Sequence, residues 1–188
     1  MKLIIVRHGE TKENLEKIVY GHRPGELTSN GIEQANKTGI VLASEKIDVI
    51  FCSDLKRCVD TAKIIMKHLS VCPLKLTPLL REQRQDSLNG KLVEEVDWEN
   101  LPSDVESEQQ MSERAVNLLK EVYDEFAEKT VLFVTHKRIA NILNNILLKR
   151  ELSDKTDLED VLNSSISVFE VNNKLEGKPE VLYSISHI

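Results

Sequence analysis

The chain opens on Leu3-Ile4-Ile5-Val6, followed at once by Arg7-His8-Gly9-Glu10-Thr11. An uninterrupted aliphatic run that ends near a glycine reads as a buried β-strand, with the backbone turning sharply at Gly9. The turn leaves an arginine and a histidine at the strand's C-terminal end, the edge where open α/β sheets bind their ligands. A guanidinium can clamp the oxygens of a phosphate group while an imidazole attacks its phosphorus. These residues therefore point both to a parallel sheet and to phosphate chemistry.

Outward from this stretch, strands alternate with helices. The spacing predicts a helix over 29–44 capped by Thr28 or Asn30, with Ile32, Ala35, Ile40 and Ala43 towards the core. A strand follows at 47–51, then a helix over 55–69 with Ser53 as its N-cap, and a strand at 74–77. Met111, Ala115, Leu118, Leu119, Val122 and Phe126 form a helical stripe within 110–127. A strand at 131–134, a helix at 138–148 and strands at 165–171 and 181–186 complete the chain, the last two joined by a turn near Asn172-Asn173. The pattern predicts an α/β fold: a three-layer α/β/α sandwich around a mostly parallel sheet with an antiparallel C-terminal hairpin. The 188 residues suit a single domain spanning 1–188.

Composition narrows the function. Aromatics are 4% of residues, so the core must be mostly Ile, Leu and Val. A net charge of −6 argues against general nucleic-acid binding. Acidic residues crowd the stretch from Glu94 to Glu113, whereas Arg7, Lys12, Arg23, Lys56, Arg57, Arg81, Arg84, Lys137 and Arg138 flank the polar motifs. Convergence of those segments would make a positive cleft that draws in anions. Four aliphatics before Arg7 do not make a signal peptide, and the apolar stretch 139–148 is too short to span a bilayer. Cys52, Cys58 and Cys72 lack metal-site spacing and fit a reducing cytoplasm. His8, His22 and His136 lack a metal-binding spacing, so neither metal nor other cofactor is expected. Nothing in the sequence demands a partner chain.

Polar motif residues repeatedly fall just after the predicted strands. Arg7-His8-Gly9-Glu10-Thr11 with Asn14 follows the first, Ser53 to Arg57 the second, Leu80-Arg81-Glu82 the third and Thr135-His136 the fourth. In this order they resemble the signature of the histidine phosphatase superfamily, in its phosphoglycerate mutase-like branch. The acid phosphatase branch reads RHG-x-R-x-P, which Glu10-Thr11-Lys12-Glu13 does not supply.

The resemblance implies a metal-independent phosphatase acting on a small phosphorylated metabolite. His8 would be the nucleophile, forming a phosphohistidine, and Glu82 the general acid and base. Arg7, Arg57 and His136 would surround the phosphoryl oxygens. Thr11, Asn14, Gly21, His22 and Lys137 would contact the substrate. Read alone, Arg57 could simply pair with Asp54 or Asp60 along its helix. Lys137 departs from the family, which usually has glycine there, and Asp86 to Gly90 departs from a G-x-x-x-G pattern. The alternatives are mutase-type phosphoryl transfer, which needs a longer enclosing insertion after Glu82, and non-catalytic binding of a phosphorylated ligand.

Overall fold

The computed structural model describes residues 1–151 and 161–188. Along the chain run β1 (Lys2–Arg7), α1 (Lys12–Leu15), α2 (Ser29–Leu42), β2 (Val49–Ser53), α3 (Lys56–Met66) and β3 (Leu74–Thr77). They are followed by α4 (Glu108–Phe126), β4 (Thr130–Thr135), α5 (Lys137–Leu148), β5 (Ile166–Val171) and β6 (Gly177–Ser184). The strands form one mixed sheet in the order β3-β2-β4-β1-β5-β6. β1, β2, β3 and β4 pair in parallel, while β5 runs antiparallel to both β1 and β6.

Strand side chains alternate between the two faces, so each aliphatic run feeds two cores. Leu3, Ile5, Val49, Phe51, Val131 and Phe133 pack with Met111, Leu118 and Leu119 of α4 and Ile139 and Leu143 of α5. Ile4, Val6, Ile50, Cys52, Leu132 and Val134 pack on the other face with Leu42 of α2 and Cys58, Ala62 and Ile65 of α3. Continuous hydrophobicity in β1 and β4 is what a strand covered on both faces requires. The α/β/α layering and the antiparallel C-terminal pair are as the sequence predicts.

Two local expectations change. In α2, Ile32 and Ile40 are 45% and 61% exposed, and the buried face is Gly31, Ala35, Thr38, Gly39 and Leu42. α2 lies against α3, with Gly39 set close to Ile65 and His68, and this approach on the small-residue side leaves the bulky isoleucines outward. Ser53 does not cap α3, whose N-cap is Leu55 with no side-chain hydrogen bond. Among the described residues, no helix is long and apolar enough to cross a membrane.

The turn after β1 depends on two facing glycines. A Cβ at Gly9 would lie 2.4 Å from the Gly31 carbonyl oxygen, and one at Gly31 would lie 2.0 Å from that of Glu10. Only residues without side chains let this turn rest directly on the start of α2. The seat fixes the backbone on either side of His8.

Candidate active site

The C-terminal ends of β1, β4 and β2 share one rim because Arg7 is in register with Thr135, and Val134 with Cys52. The His8 amide donates to the Thr135 carbonyl at 2.9 Å, extending the ladder by one residue into the turn. His8, 3% exposed, thus leaves the sheet at the floor of a cavity of about 500 Å³. Arg7, Arg57, Glu82, Thr11, Asn14 and Gly21 line the same cavity, joined by Lys137 and Arg138 from the start of α5.

The His8 tautomer follows from its hydrogen bond. Nδ1 lies 2.8 Å from the Gly9 carbonyl oxygen, which can only accept, so Nδ1 carries the proton and Nε2 keeps its lone pair. Burial, then the charges of Arg57 and Arg7, hold its pKa well below the usual 6.5. The ring is therefore neutral, with the Nε2 lone pair free beside two cations. Arg57 donates from Nη1 to the Arg23 carbonyl and from Nη2 to that of Gly21, both at 2.9 Å, and so ties the 21–23 loop to the cavity wall. It pairs with neither neighbouring aspartate: Asp54 takes Arg81 at 2.6 Å, and Asp60 takes Lys56.

His136 sits behind His8 rather than on the cavity wall. The two rings meet edge to face at 5.2 Å, and His136 is fully buried. Its Nε2 lies 2.8 Å from Ser53 Oγ and 3.3 Å from Cys58 Sγ. Ser53 Oγ accepts from the Leu55 amide at 3.3 Å, which leaves its proton for His136. Burial, followed by Arg57 and His8, lowers the His136 pKa well below 6.5. Burial pushes the Cys58 thiol up to about 12, so it is a protonated spacer and not a competing nucleophile.

Two buried neutral histidines make stability pH-dependent. In the unfolded chain each titrates near about 6.5, whereas the native state holds both unprotonated. Below that pH the unfolded state binds more protons, so stability falls as pH drops through the 6–5 range. Urea midpoints of ligand-free protein should decline over that range, and His8→Ala should flatten the decline. A midpoint that is level from pH 7.5 to 5 would contradict the neutral, buried state.

Glu82 enters the cavity from the segment after β3. Its Oε1 accepts from the Gln83 amide at 2.9 Å, and its Oε2 lies 3.5 Å from the Arg138 amide. The main chain beneath it is clamped. Arg114 Nη1 donates to the Leu79 carbonyl at 2.6 Å and Nη2 to the Glu82 carbonyl at 3.3 Å, while Nε pairs with Glu106 at 2.7 Å. Both members of that pair are only 14% exposed. Removing one partner of a largely buried pair strands the other, so Arg114→Leu should cost about 3 kcal/mol in urea unfolding. An effect below about 0.5 kcal/mol would mean that the clamp carries no load.

His22, expected beside the substrate, instead lies with its Nε2 2.7 Å from the Glu82 carbonyl and lines a neighbouring hollow with Arg84 and Arg114. Lys137 is the first residue of α5 and has ordinary helical backbone, so this position does not need the family's glycine. The basic segments converge only in part. Arg7, Lys17, Arg57, Lys137 and Arg138 line the cavity, whereas Lys12 is paired with Glu26 outside it.

Several contributors had no signal in the sequence. Asn163 donates from Nδ2 to the His8 carbonyl at 3.1 Å and to Asn14 Oδ1 at 3.0 Å. With the Thr11 amide also donating to Oδ1, Asn14 is left with its NH₂ for a ligand. The cavity's upper wall forms where two loops zip together: Val19 and Val93 amides donate to the Lys91 and Lys17 carbonyls at 2.9 and 2.8 Å. Trp98 closes that wall, stacked 4.9 Å from the Arg138 guanidinium.

A family model for the histidine phosphatase superfamily, branch 1, matches residues 3–178. The chain belongs to this superfamily. It is 26% identical over its whole length to phosphoglycerate mutase-like protein 4 of Arabidopsis thaliana, covering 86% of that protein. It is 27% identical to an Escherichia coli adenosylcobalamin/alpha-ribazole phosphatase, with 76% of this chain and 77% of that protein aligned. Among solved structures, Bacillus stearothermophilus YhfR superposes with a TM-score of 0.88 at 25% identity, covering 99% of this chain and 98% of that one. Membership and its phosphatase relatives make this histidine phosphatase chain a phosphatase enzyme.

Proposed function

We propose that the protein hydrolyses small phosphomonoesters through a phosphohistidine on His8, without a metal. The observation that carries the reading is the Nδ1–H bond to the Gly9 carbonyl, which leaves Nε2 unprotonated in a cavity that Arg7 and Arg57 also line. Nε2 attacks phosphorus as the ester oxygen leaves and takes its proton from the Glu82 carboxyl. The ring gains positive charge, which the Gly9 carbonyl helps to stabilise. Glu82, now a carboxylate, removes a proton from water; the water oxygen attacks phosphorus, and inorganic phosphate departs with His8 restored. Arg7, Arg57 and the Asn14 amide act on the phosphoryl oxygens, with His136 supporting the His8 ring from behind. Thr11, Gly21 and Lys137 complete the surroundings of the ester, and His22 acts on the Glu82 backbone.

A cavity of about 500 Å³ is the size of a metabolite site, and a relative's name, adenosylcobalamin/alpha-ribazole phosphatase, supports a metabolite ester as substrate. Among the described residues, no cluster of His, Cys, Asp and Glu is arranged to hold a metal ion. The buried free thiols suit a reducing, cytoplasmic setting. Mutase-type transfer is disfavoured because between Glu82 and α4 the chain forms only short turns against the cavity wall. The test is phosphate release from p-nitrophenyl phosphate in excess EDTA. Many turnovers per chain, unchanged by chelation, are expected; activity that disappears with EDTA would overturn the metal-free route.

A further inference from the structure

We propose that Glu13 reads a positively charged group on the alcohol part of the substrate, so that the preferred esters are phosphates of amino alcohols. The inference rests on the reading of His8 and Arg57 as the phosphate site. Glu13 belongs to the short helix α1, one residue before Asn14, and lines the same cavity. Its Oε2 is buried, and among the described residues it has no hydrogen-bond partner. A carboxylate oxygen shielded from water without a donor is costly, and the cost is recovered when a ligand brings the donor.

The position of that oxygen matters. A Cβ at Gly25 would lie 3.0 Å from Glu13 Oε2 and 3.3 Å from Arg57 Cδ, so the carboxylate and the stem of the phosphate-site arginine both face Gly25. Phosphate repels a carboxylate, and a substrate that is anionic throughout gains nothing from one here. An ester carrying an ammonium group near its phosphate satisfies both: Arg7 and Arg57 take the anion and Glu13 takes the cation. Lys137 and Arg138 enter from α5, a different element, and suit any further negative charge on the same molecule. A neutral hydroxyl donor could also satisfy Oε2, and replacement by glutamine separates the two cases, because glutamine keeps the acceptor oxygen and loses the charge.

The experiment is calorimetric titration of O-phosphoethanolamine and of n-propyl phosphate, its isostere without the ammonium charge, into His8→Ala protein, with and without Glu13→Gln. The amino ester is expected to bind at least about tenfold more tightly, and Glu13→Gln should shrink the gap below about threefold. Equal affinities with Glu13 present, a gap that survives Glu13→Gln, or no binding of either ester would overturn the inference. Native-protein turnover of p-nitrophenyl phosphate reports separately on the phosphatase reading. An affinity gap without turnover would sink that reading alone, and turnover without a gap would sink the role of Glu13 alone.

Discussion

His8→Ala is expected to reduce phosphate release from p-nitrophenyl phosphate by at least about 10³-fold, to a level near background. The size of the effect follows from the two-step route. Without Nε2 no phosphoenzyme forms, and the remaining groups can only bind the ester. Binding should survive, since Arg57 is held by the Gly21 and Arg23 carbonyls and not by His8. The variant should therefore bind inorganic phosphate while failing to turn over. Residual activity within tenfold of native would mean that water attacks the ester directly and that the histidine serves only to bind.

Glu82→Gln should cost about 10²–10⁴-fold with an alkyl phosphate, whose alkoxide cannot leave without a proton. With p-nitrophenyl phosphate the leaving group needs no proton, so the first step should remain fast and hydrolysis of the phosphoenzyme should become limiting. Rapid mixing is expected to show a burst of about one equivalent of p-nitrophenolate per chain, followed by slow release. An equal loss with both esters and no burst would place Glu82 in binding and not in proton transfer.

The sheet and the rim of the site were legible in the sequence because both depend on short-range patterns. Four-residue aliphatic runs make strands covered on both faces, and a polar motif directly after a strand end must lie on the rim of a parallel sheet. Arg7, His8, Arg57 and Glu82 could therefore be brought together on paper, as they are in the fold. Contacts set by loop paths were not legible. The sequence places His22 at the substrate, yet its loop carries it to the Glu82 carbonyl. Ser53 reads as a helix cap, yet its hydroxyl meets His136, which follows β4 directly. Trp98 reaches the cavity beside the paired 17–20 and 90–93 loops, and no residue spacing reports that pairing. The outward turn of Ile32 and Ile40 has the same origin: helical periodicity cannot reveal that a neighbouring helix prefers the face built of small residues.

The most direct measurement is mass spectrometry of protein quenched under alkaline conditions during turnover of p-nitrophenyl phosphate in EDTA. Alkali preserves a phosphoryl group on nitrogen, whereas acid removes it. A single phosphoryl group on the peptide containing His8, absent after acid treatment and accumulating in Glu82→Gln, is the predicted result. Steady turnover with His8 unmodified in both proteins, or a phosphoryl group on another residue, would contradict His8 as the nucleophile.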